Sequence, residues 1–431
     1  MNPINVLKNY YLLKQNLYKS NDELLNIQRK RTIAIIKTAY ENSIYYRKIF
    51  NEINFHPNDL VSDFNNFKKL PILTKESLRQ IDVKDFIATK SKNLNELIFH
   101  PTSGSTGIPL KIYKTPTDSL LNDLCHIRSY RFNGWKTFDK IVSIIGDVDY
   151  RNPNIFQKFR IMPIKYISID QSISMIVDEL KNNDFKILKA YSDDISIIAK
   201  FIIDNKIENI YPKIVSTGAA LLDNVAKELI FKAFGVRPMD SYGSADAGQI
   251  AWQCKRFNYH INIDMVNVEV LDNNGKLNND EPGEIVVTNL WNSAFPIIRF
   301  KLGDIITLEK SKCNCGCNFP LMKMIDGKTV DFIILPSGEP VTPHAPKQIL
   351  SGVVEIKSYK IIQKSISKVQ VNIVINSNYK NSIGTNITKK MNKIFKNQIN
   401  VDLRIVNSIP RSDRKFTTVE STIGQNFFKQ K

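Results

Sequence analysis

The sequence predicts an α/β protein with a large N-terminal domain of mixed sheets and helices and a small C-terminal α/β domain. Between about residues 140 and 245, short apolar runs alternate with helical periods, which is typical of parallel strands with helices packed on the sheet. After residue 260, apolar residues occupy alternate positions up to the turn sequence DNNG at 272–275. This second pattern predicts hairpins and further strands.

A third pattern predicts the small C-terminal domain. Apolar residues alternate strictly at 369–375, and a helical period at 387–395 and a strand at 401–405 follow. We therefore place the domains at 1–326 and 327–431, with a helical arm at 1–95.

The individual elements follow from local patterns. Residues 27–50 contain no Pro or Gly and end on Tyr45, Tyr46 and Phe50, which predicts one amphipathic helix. Thr74 is suited to the N-cap of a short helix. The alternating region predicts, in order, a strand at 141–145, a helix at 173–180, a strand at 186–190, a helix from 192, a strand at 214–215, a helix at 222–230 and a strand at 236–241.

Length and composition fit a soluble globular protein. The chain has 431 residues, of which 42% are hydrophobic and 24% charged. Lysines interrupt the N-terminal segment before any apolar run reaches the length of a membrane span, so we expect a cytoplasmic protein without one. The formal net charge of +18 would suit a polyanionic partner, but it is spread along the chain. Dispersed charge favours a solvated surface, and we predict no nucleic-acid partner.

A glycine- and hydroxyl-rich loop is the first candidate site. It follows a short apolar stretch and contains Thr102, Ser103, Gly104, Ser105, Thr106 and Gly107. Glycines allow a close backbone approach, and N–H and O–H donors bind phosphate oxygens, so the loop suits a phosphate group. It lacks the Gly-Lys-Ser/Thr ending of a Walker loop. A flexible Ser/Gly turn is the alternative interpretation.

Five further segments follow this loop. They are STGAA at 216–220, SYGSAD at 241–246, RFKLGD at 299–304, DGKTVD at 326–331 and RSDRKF at 411–416. In order and approximate spacing, the set resembles the acyl-adenylate-forming (AMP-binding) superfamily. From about residue 25 the chain is most similar to its phenylacetate-CoA ligase branch, including relatives associated with capsule biosynthesis. The sequences NSIYYRKIF at 42–50 and KLPILTKESLR at 69–79 fit that branch.

The resemblance implies a role for each motif. The loop at 102–107 would surround the phosphates of ATP, and the ring of Tyr242 would stack on adenine. Asp246 would hold Mg²⁺, Asp304 would accept hydrogen bonds from both ribose hydroxyls, and Lys415 would bridge the carboxylate and the α-phosphate. The remaining residues of these motifs that we assign to nucleotide binding are Gly218, Ala219, Gly243, Ser244 and Lys328.

The chain departs from the superfamily at several of these positions. Asp246 is one methylene shorter than the usual Glu, Lys328 replaces an Arg at the hinge, and Val330 replaces an Asp. Leu110 stands where many members carry Lys. These changes motivate one alternative function, a nucleotide-binding protein without turnover.

Three of the five cysteines form a cluster. Cys313, Cys315 and Cys317 lie within five residues, a spacing that favours a metal site over a secreted disulfide framework. Buried cysteines that act as small hydrophobic residues are the alternative. The phenylacetate-CoA ligase branch pairs such a turn with an upstream Cys and His, which match Cys254 and His260. The resemblance therefore implies a structural Zn²⁺ held by Cys254, His260, Cys313 and Cys315, with Cys317 able to replace Cys313.

The resemblance implies attack of a carboxylate on the α-phosphorus of Mg·ATP, giving an acyl-adenylate and pyrophosphate. Rotation of 327–431 as a mobile lid would then remove Lys415 and allow acyl transfer to CoA. The alternative acceptor is the amine of a sugar or amino acid. The charge and the cysteines would also suit a zinc-containing nucleic-acid binder, but the distance between Cys254 and Cys313 does not resemble a zinc finger. The acid, the acceptor and the oligomeric state, a homodimer included, stay open.

Overall fold

A computed structural model describes two compact units of the chain. It covers residues 3–89, 93–101, 111–145, 163–169, 171–218, 222, 224–272, 275–278, 280–328, 332–341, 343–351, 353, 355–376, 380–409 and 418–427. Unit 1 comprises Met1–Gly134 and Ser241–Ile325, and unit 2 comprises Trp135–Asp240 and Asp326–Lys431. The C-terminal residues are thus grouped with the parallel-strand region, and their predicted action as a separate lid stays a prediction.

The helices and strands follow the predicted alternation. The helices are α1 Pro3–Asn16, α2 Asn21–Asn42, α3 Ile44–Glu52, α4 Asp59–Ser62, α5 Lys75–Gln80, α6 Val83–Phe86, α7 Pro116–Phe132, α8 Ile173–Lys181, α9 Ser192–Asp204, α10 Asn224–Phe234, α11 His344–Ser351, α12 Asn381–Ile394 and α13 Thr422–Phe427. Short 3-10 helices span Phe64–Lys69 and Leu94–Glu96. The strands are β1 Ile98–Pro101, β2 Lys111–Lys114, β3 Ile141–Ile145, β4 Ile164–Ser168, β5 Ile187–Lys189, β6 Ile214–Gly218, β7 Met239–Ser244, β8 Gly248–Gln253, β9 Tyr259–Ile261, β10 Val266–Leu271, β11 Gly283–Asn289, β12 Phe300–Glu309, β13 Leu321–Lys328, β14 Ile333–Ile334, β15 Pro340–Val341, β16 Ile356–Ser365, β17 Lys368–Ile375, β18 Asn400–Ile405 and β19 Val419–Ser421.

Unit 1 is built on an antiparallel sheet. Its strands lie in the order β10-β11-β12-β13-β9-β8-β7, and β1 and β2 form a separate antiparallel pair. Side chains on one face of β11 and β12, such as Val287 and Phe300, are buried in a hydrophobic core. The aromatic side chains of Tyr46 and Phe50 from α3 pack in the same core. This sheet carries the residues of both candidate sites.

Unit 2 contains a parallel sheet and a smaller mixed one. Strands β6-β5-β3-β4 pair in parallel, and residues of α8, α9 and α10 pack on them. The order β18-β17-β16-β19 forms the second sheet, against which α12 buries Ile387 and Met391. Lys347 of α11 pairs with Asp193 of α9 at 3.3 Å.

Local capping decides two predicted elements. Thr74 caps α5 as predicted, because its Oγ1 accepts from Ser77 N at 3.1 Å. The prediction of a single helix at 27–50 is wrong, because α2 ends before Ser43 and α3 begins after it. The hydroxyl of Ser43 accepts from Tyr46 N and donates to Asp85 O, which starts a new helix.

Among the described residues, no helix has the length and apolar character needed to cross a membrane.

Candidate functional site

Tyr242 and Asp304 meet on the sheet of unit 1. Tyr242 lies on β7 and Asp304 on β12, and the tyrosine hydroxyl donates to Asp304 Oδ2 at 2.7 Å. Burial first, and the neighbouring carboxylate second, raise the pKa of Tyr242 well above its usual value. The hydroxyl therefore keeps its proton and acts as the donor. The residues predicted at adenine and ribose are thus brought together.

Irregular strand pairing surrounds this contact. Glu284 pairs with Ile305 and Val286 with Lys301, so three residues of β12 lie opposite the single residue between Glu284 and Val286. Gly303 lies in this bulge with a φ of +80°, in the left-handed region that favours glycine. Such bulges redirect side chains. Here the bulge contains Asp304 itself.

The turn after Tyr242 is tightly packed. A Cβ at Gly243 would lie 2.3 Å from Gly248 O, so only glycine fits. Ser244 Oγ accepts from Ala247 N at 3.0 Å, and Asn289 Nδ2 donates to Asp246 O at 3.0 Å. Asp246 is 2% exposed. Its predicted contact with Mg²⁺ stays a prediction.

Several predicted nucleotide-binding residues fall at the edge of the described chain or beyond it. Gly218 ends β6 in unit 2, where Ser192 Oγ donates to its carbonyl at 3.3 Å. Lys328 is the last residue of β13, and only its backbone is described. The predicted residues Thr102, Ser103, Gly104, Ser105, Thr106, Gly107, Ala219 and Lys415 lie outside the described residues.

The thiol cluster, defined as Cys254, His260, Cys313 and Cys315, is the second candidate site. The potential ligand atoms of these four residues all lie within 4.8 Å of one another. Cys254 follows β8 and His260 lies on β9, while the other two come from the loop before β13. Cys254 Sγ and Cys313 Sγ are 3.7 Å apart, and Cys315 Sγ is 3.3 Å from His260 Nε2.

Surrounding groups orient these ligand atoms. His260 Nδ1 lies 3.1 Å from Phe319 O, so a proton on Nδ1 directs the Nε2 lone pair at the thiols. Arg256 N donates to Cys254 Sγ, and Asn258 Nδ2 donates to Cys313 Sγ. Three sulfurs and one imidazole nitrogen suit tetrahedral Zn²⁺, and such hydrogen bonds support thiolate ligands.

Burial and hydrogen bonds act differently on the members of the cluster. Burial raises the pKa of the Cys254 thiol, raises that of Cys315 to about 12, and lowers that of His260. Burial would also raise the pKa of Cys313, but hydrogen bonds, led by that from Asn258, hold it below its usual value. At neutral pH the Cys254 and Cys315 thiols are protonated and the imidazole is neutral. Binding of a metal ion would therefore release protons and would weaken as the pH falls.

Cys317 lies beside the thiol cluster. Its side chain is 3% exposed and shares a small apolar core with Leu17, Leu24, Trp252 and Cys254. The predicted substitution of Cys317 for Cys313 stays a prediction. The loop before β13 also contacts the turn after α1. Asn318 N donates to Leu17 O, and Asn318 Nδ2 donates to Tyr18 O and Lys19 O.

One buried ion pair in unit 1 escaped prediction. Arg128 of α7 and Asp264 are both fully buried and pair at 2.6 Å. Asn16 Nδ2 donates to the same carboxylate at 2.8 Å, and the Arg128 guanidinium lies 4.8 Å from the centre of the Phe319 ring. The sequence signal was an acidic residue inside the apolar run 261–266, whose partner cannot be identified from spacing alone.

A second buried arginine lies within a predicted motif. Arg299 donates to both carboxylate oxygens of Glu269 at 3.0 Å and to Lys68 O at 2.8 Å. Its backbone carbonyl accepts from Leu73 N at 2.9 Å. Arg299 therefore joins the predicted KLPILTKESLR segment to the strand that carries Asp304.

Comparisons with known proteins agree with this architecture. Residues 333–421 match the family model described as CapK C-terminal domain. Protein CapK of Staphylococcus aureus is 24% identical over 94% of this chain and 90% of its own length. The phenylacetate-coenzyme A ligase of Escherichia coli K12 is 23% identical over 92% and 94%. The crystal structure of 2-hydroxyisobutyryl-CoA ligase with R3-HIB-AMP, in the postadenylation state, superimposes with a TM-score of 0.78 and 17% identity, covering 97% of this chain and 94% of that one.

These relatives confirm the predicted resemblance to the acyl-adenylate-forming superfamily and its phenylacetate-CoA ligase branch. They also confirm the α/β fold class and the prediction of a ligase. They support acyl-adenylate formation and transfer to CoA in general terms.

Proposed function

We propose that this chain uses ATP to activate a carboxylic acid as an acyl-adenylate and then transfers the acyl group to CoA. The observation that carries the proposal is the hydrogen bond between Tyr242 and Asp304, residues 62 positions apart in two motifs predicted to bind nucleotide. The phenylacetate-coenzyme A ligase of Escherichia coli, similar over 92% of this chain, supports the same chemistry.

The reaction would proceed without a covalent enzyme intermediate. A carboxylate oxygen attacks the α-phosphorus, the bond from that phosphorus to the bridging oxygen breaks, and pyrophosphate leaves. The CoA thiol then attacks the acyl carbonyl, loses its proton, and AMP leaves. The loop at 102–107 would hold the phosphates, Asp246 would hold Mg²⁺, and Lys415 would stabilise the charge on the α-phosphate.

We infer that the thiol cluster holds a structural Zn²⁺. Four ligand atoms within 4.8 Å form a closed donor set, and the second nitrogen of His260 is engaged by Phe319 O. A closed set leaves no position for substrate, so the metal would contribute to the stability of unit 1 and not to the reaction.

ATP–pyrophosphate exchange with a panel of aryl, fatty and amino acids tests the first half-reaction. Lys415→Ala should lower exchange by about 100-fold while ATP binding persists, because the cation acts mainly in the transition state. Lys390→Ala, an exposed lysine of α12, is the control. Full exchange by Lys415→Ala would remove that role, and no exchange with any acid would favour a nucleotide-binding protein without turnover.

The acceptor is tested by adding CoA or an amine to the preformed acyl-adenylate. Release of AMP that depends on CoA supports the thioester step. Release that depends only on an amino sugar or amino acid would replace it with amide ligation.

A further inference from the structure

The hydroxyl of Tyr242 has a function that ring stacking on adenine does not require. We propose that this hydroxyl is a positioning group that holds Asp304 for the ribose, so that Tyr242 sets the preference of the site for a nucleotide with free ribose hydroxyls. This inference rests on the proposed function and deepens it.

Two strand irregularities converge on this contact. On β12, the bulge with Gly303 redirects Asp304. On β7, the pairing with β8 shifts between Tyr242 and Gly243, since Tyr242 pairs with Ala251 and Gly243 with Gln249. Neither register shift occurs in a regular β-ladder. Both occur at the two residues whose side chains meet.

The contact fixes one carboxylate oxygen and leaves the other open. Asp304 Oδ2 accepts from the tyrosine hydroxyl, and within the described part of the chain no donor is bonded to Oδ1. Asp304 is 7% exposed, so its carboxylate has little freedom apart from this bond. An acceptor held before the ligand arrives loses less conformational entropy on binding than a mobile one.

The protonation of Tyr242 agrees with this function. Burial and the Asp304 carboxylate raise the pKa of the phenol well above its usual value, so the hydroxyl donates throughout the neutral range. A hydrogen bond from a neutral donor to a carboxylate is stronger than one between neutral groups. The pair is therefore formed before nucleotide binds.

Nucleotide binding without turnover tests the inference. Tyr242→Phe removes the hydroxyl and keeps the ring, and it should weaken ATP binding by about tenfold. Binding of 2′,3′-dideoxy-ATP, which has no ribose hydroxyls, should change less than about twofold. Isothermal titration calorimetry measures both ligands. Tyr46→Phe is the matched control, because it removes another buried hydroxyl, bonded to Pro296 O at 2.8 Å in the same unit.

Three outcomes would overturn the inference. They are ATP binding by Tyr242→Phe equal to wild type, an equal loss for both nucleotides, and tighter ATP binding by the variant. None of these affects the proposed function. A wild-type chain that binds both nucleotides equally would overturn this inference and leave the proposed function standing, whereas one that does not bind ATP would overturn both proposals.

A double variant guards against a general effect of the substitution on folding. In the Asp304→Ala background the acceptor is absent, so adding Tyr242→Phe should change ATP binding less than about twofold. An undiminished tenfold effect in that background would show that the hydroxyl acts elsewhere and would overturn the inference. Thermal unfolding of each variant verifies that the compared chains are folded.

Discussion

The Tyr242–Asp304 pair and the thiol cluster lie in the same unit but differ in whether they need a ligand to complete their interactions. The pair is complete in itself, because the tyrosine hydroxyl donates to a carboxyl oxygen of Asp304 at 2.7 Å. The cluster gathers three sulfurs and an imidazole nitrogen, all within 4.8 Å of one another. A ligand at the pair would find a prepared site, so its binding energy would appear as affinity. A metal at the cluster would join segments of the chain, so its binding energy would appear as stability.

The largest expected effect comes from removing one ligand of the cluster. Cys254→Ala should abolish stoichiometric zinc and lower the free energy of unfolding by about 5 kcal/mol or more, because metal binding is coupled to folding. Zinc analysis and urea denaturation measure both. Cys317→Ala also removes a buried thiol but should keep its zinc. If both variants retained the metal, the cluster would not be a zinc site and the contrast would fail.

The buried ion pair Arg128–Asp264 tests whether metal alone holds the loop before β13 that contains Cys313 and Cys315, called the cysteine loop below. Arg128→Ala leaves the Asp264 charge buried and removes the cation beside Phe319, so we expect a loss of about 3–5 kcal/mol with zinc retained. Loss of zinc from this variant would mean that the loop depends on both.

Low pH should weaken the stabilisation that the Arg128–Asp264 ion pair provides. Burial alone would raise the pKa of Asp264, but the Arg128 guanidinium holds it below its ordinary value of about 4. The stabilisation is therefore complete above that value and is lost as the pH falls through the lower pKa of the folded state. Urea denaturation between pH 7 and pH 3 should show this loss in the wild type and a smaller one in Asp264→Asn. Equal slopes would assign the acid sensitivity to other groups.

A substitution in the Tyr242–Asp304 pair should change the affinity for ATP alone. Asp304→Asn keeps the shape of the side chain but loses its charge, so ATP binding should weaken by about 30- to 100-fold while zinc content and unfolding stay near wild type. Calorimetry and zinc analysis on one preparation measure this. A variant that also lost its metal would show that the two sites are coupled.

The smallest expected effect concerns the bond between the cysteine loop and the turn after α1. Asn318→Ala removes two hydrogen bonds to Tyr18 O and Lys19 O and should cost about 1 kcal/mol, since both are solvent-exposed. Zinc should be unchanged. A loss as large as that of Cys254→Ala would move the main stabilising role from the metal to this contact.

The sequence predicts what local patterns encode. The α/β class follows from the periodicity of apolar residues. The spacing of the cysteines identifies members of the thiol cluster, and the sequence motifs identify Tyr242 and Asp304, which the fold brings together. The helical period runs through Ser43 and so hides the break there; the bond from Tyr46 N to its hydroxyl is local, and only the bond from that hydroxyl to Asp85 O needs the fold. The bulge at Asp304 needs the register of a partner strand. Arg128 and Asp264 are 136 positions apart, beyond the range of any periodicity.

The bond between Asn318 and the turn after α1 has a consequence for biosynthesis. Asn318 and Tyr18 are separated by 300 positions. At about 5–20 residues per second, a ribosome would present α1 roughly 15–60 s before the cysteine loop that covers its end emerges. During that interval the apolar side chains of Leu13 and Leu17, buried in the finished protein, lie open on the nascent chain. We therefore expect prolonged chaperone occupancy of α1 during translation.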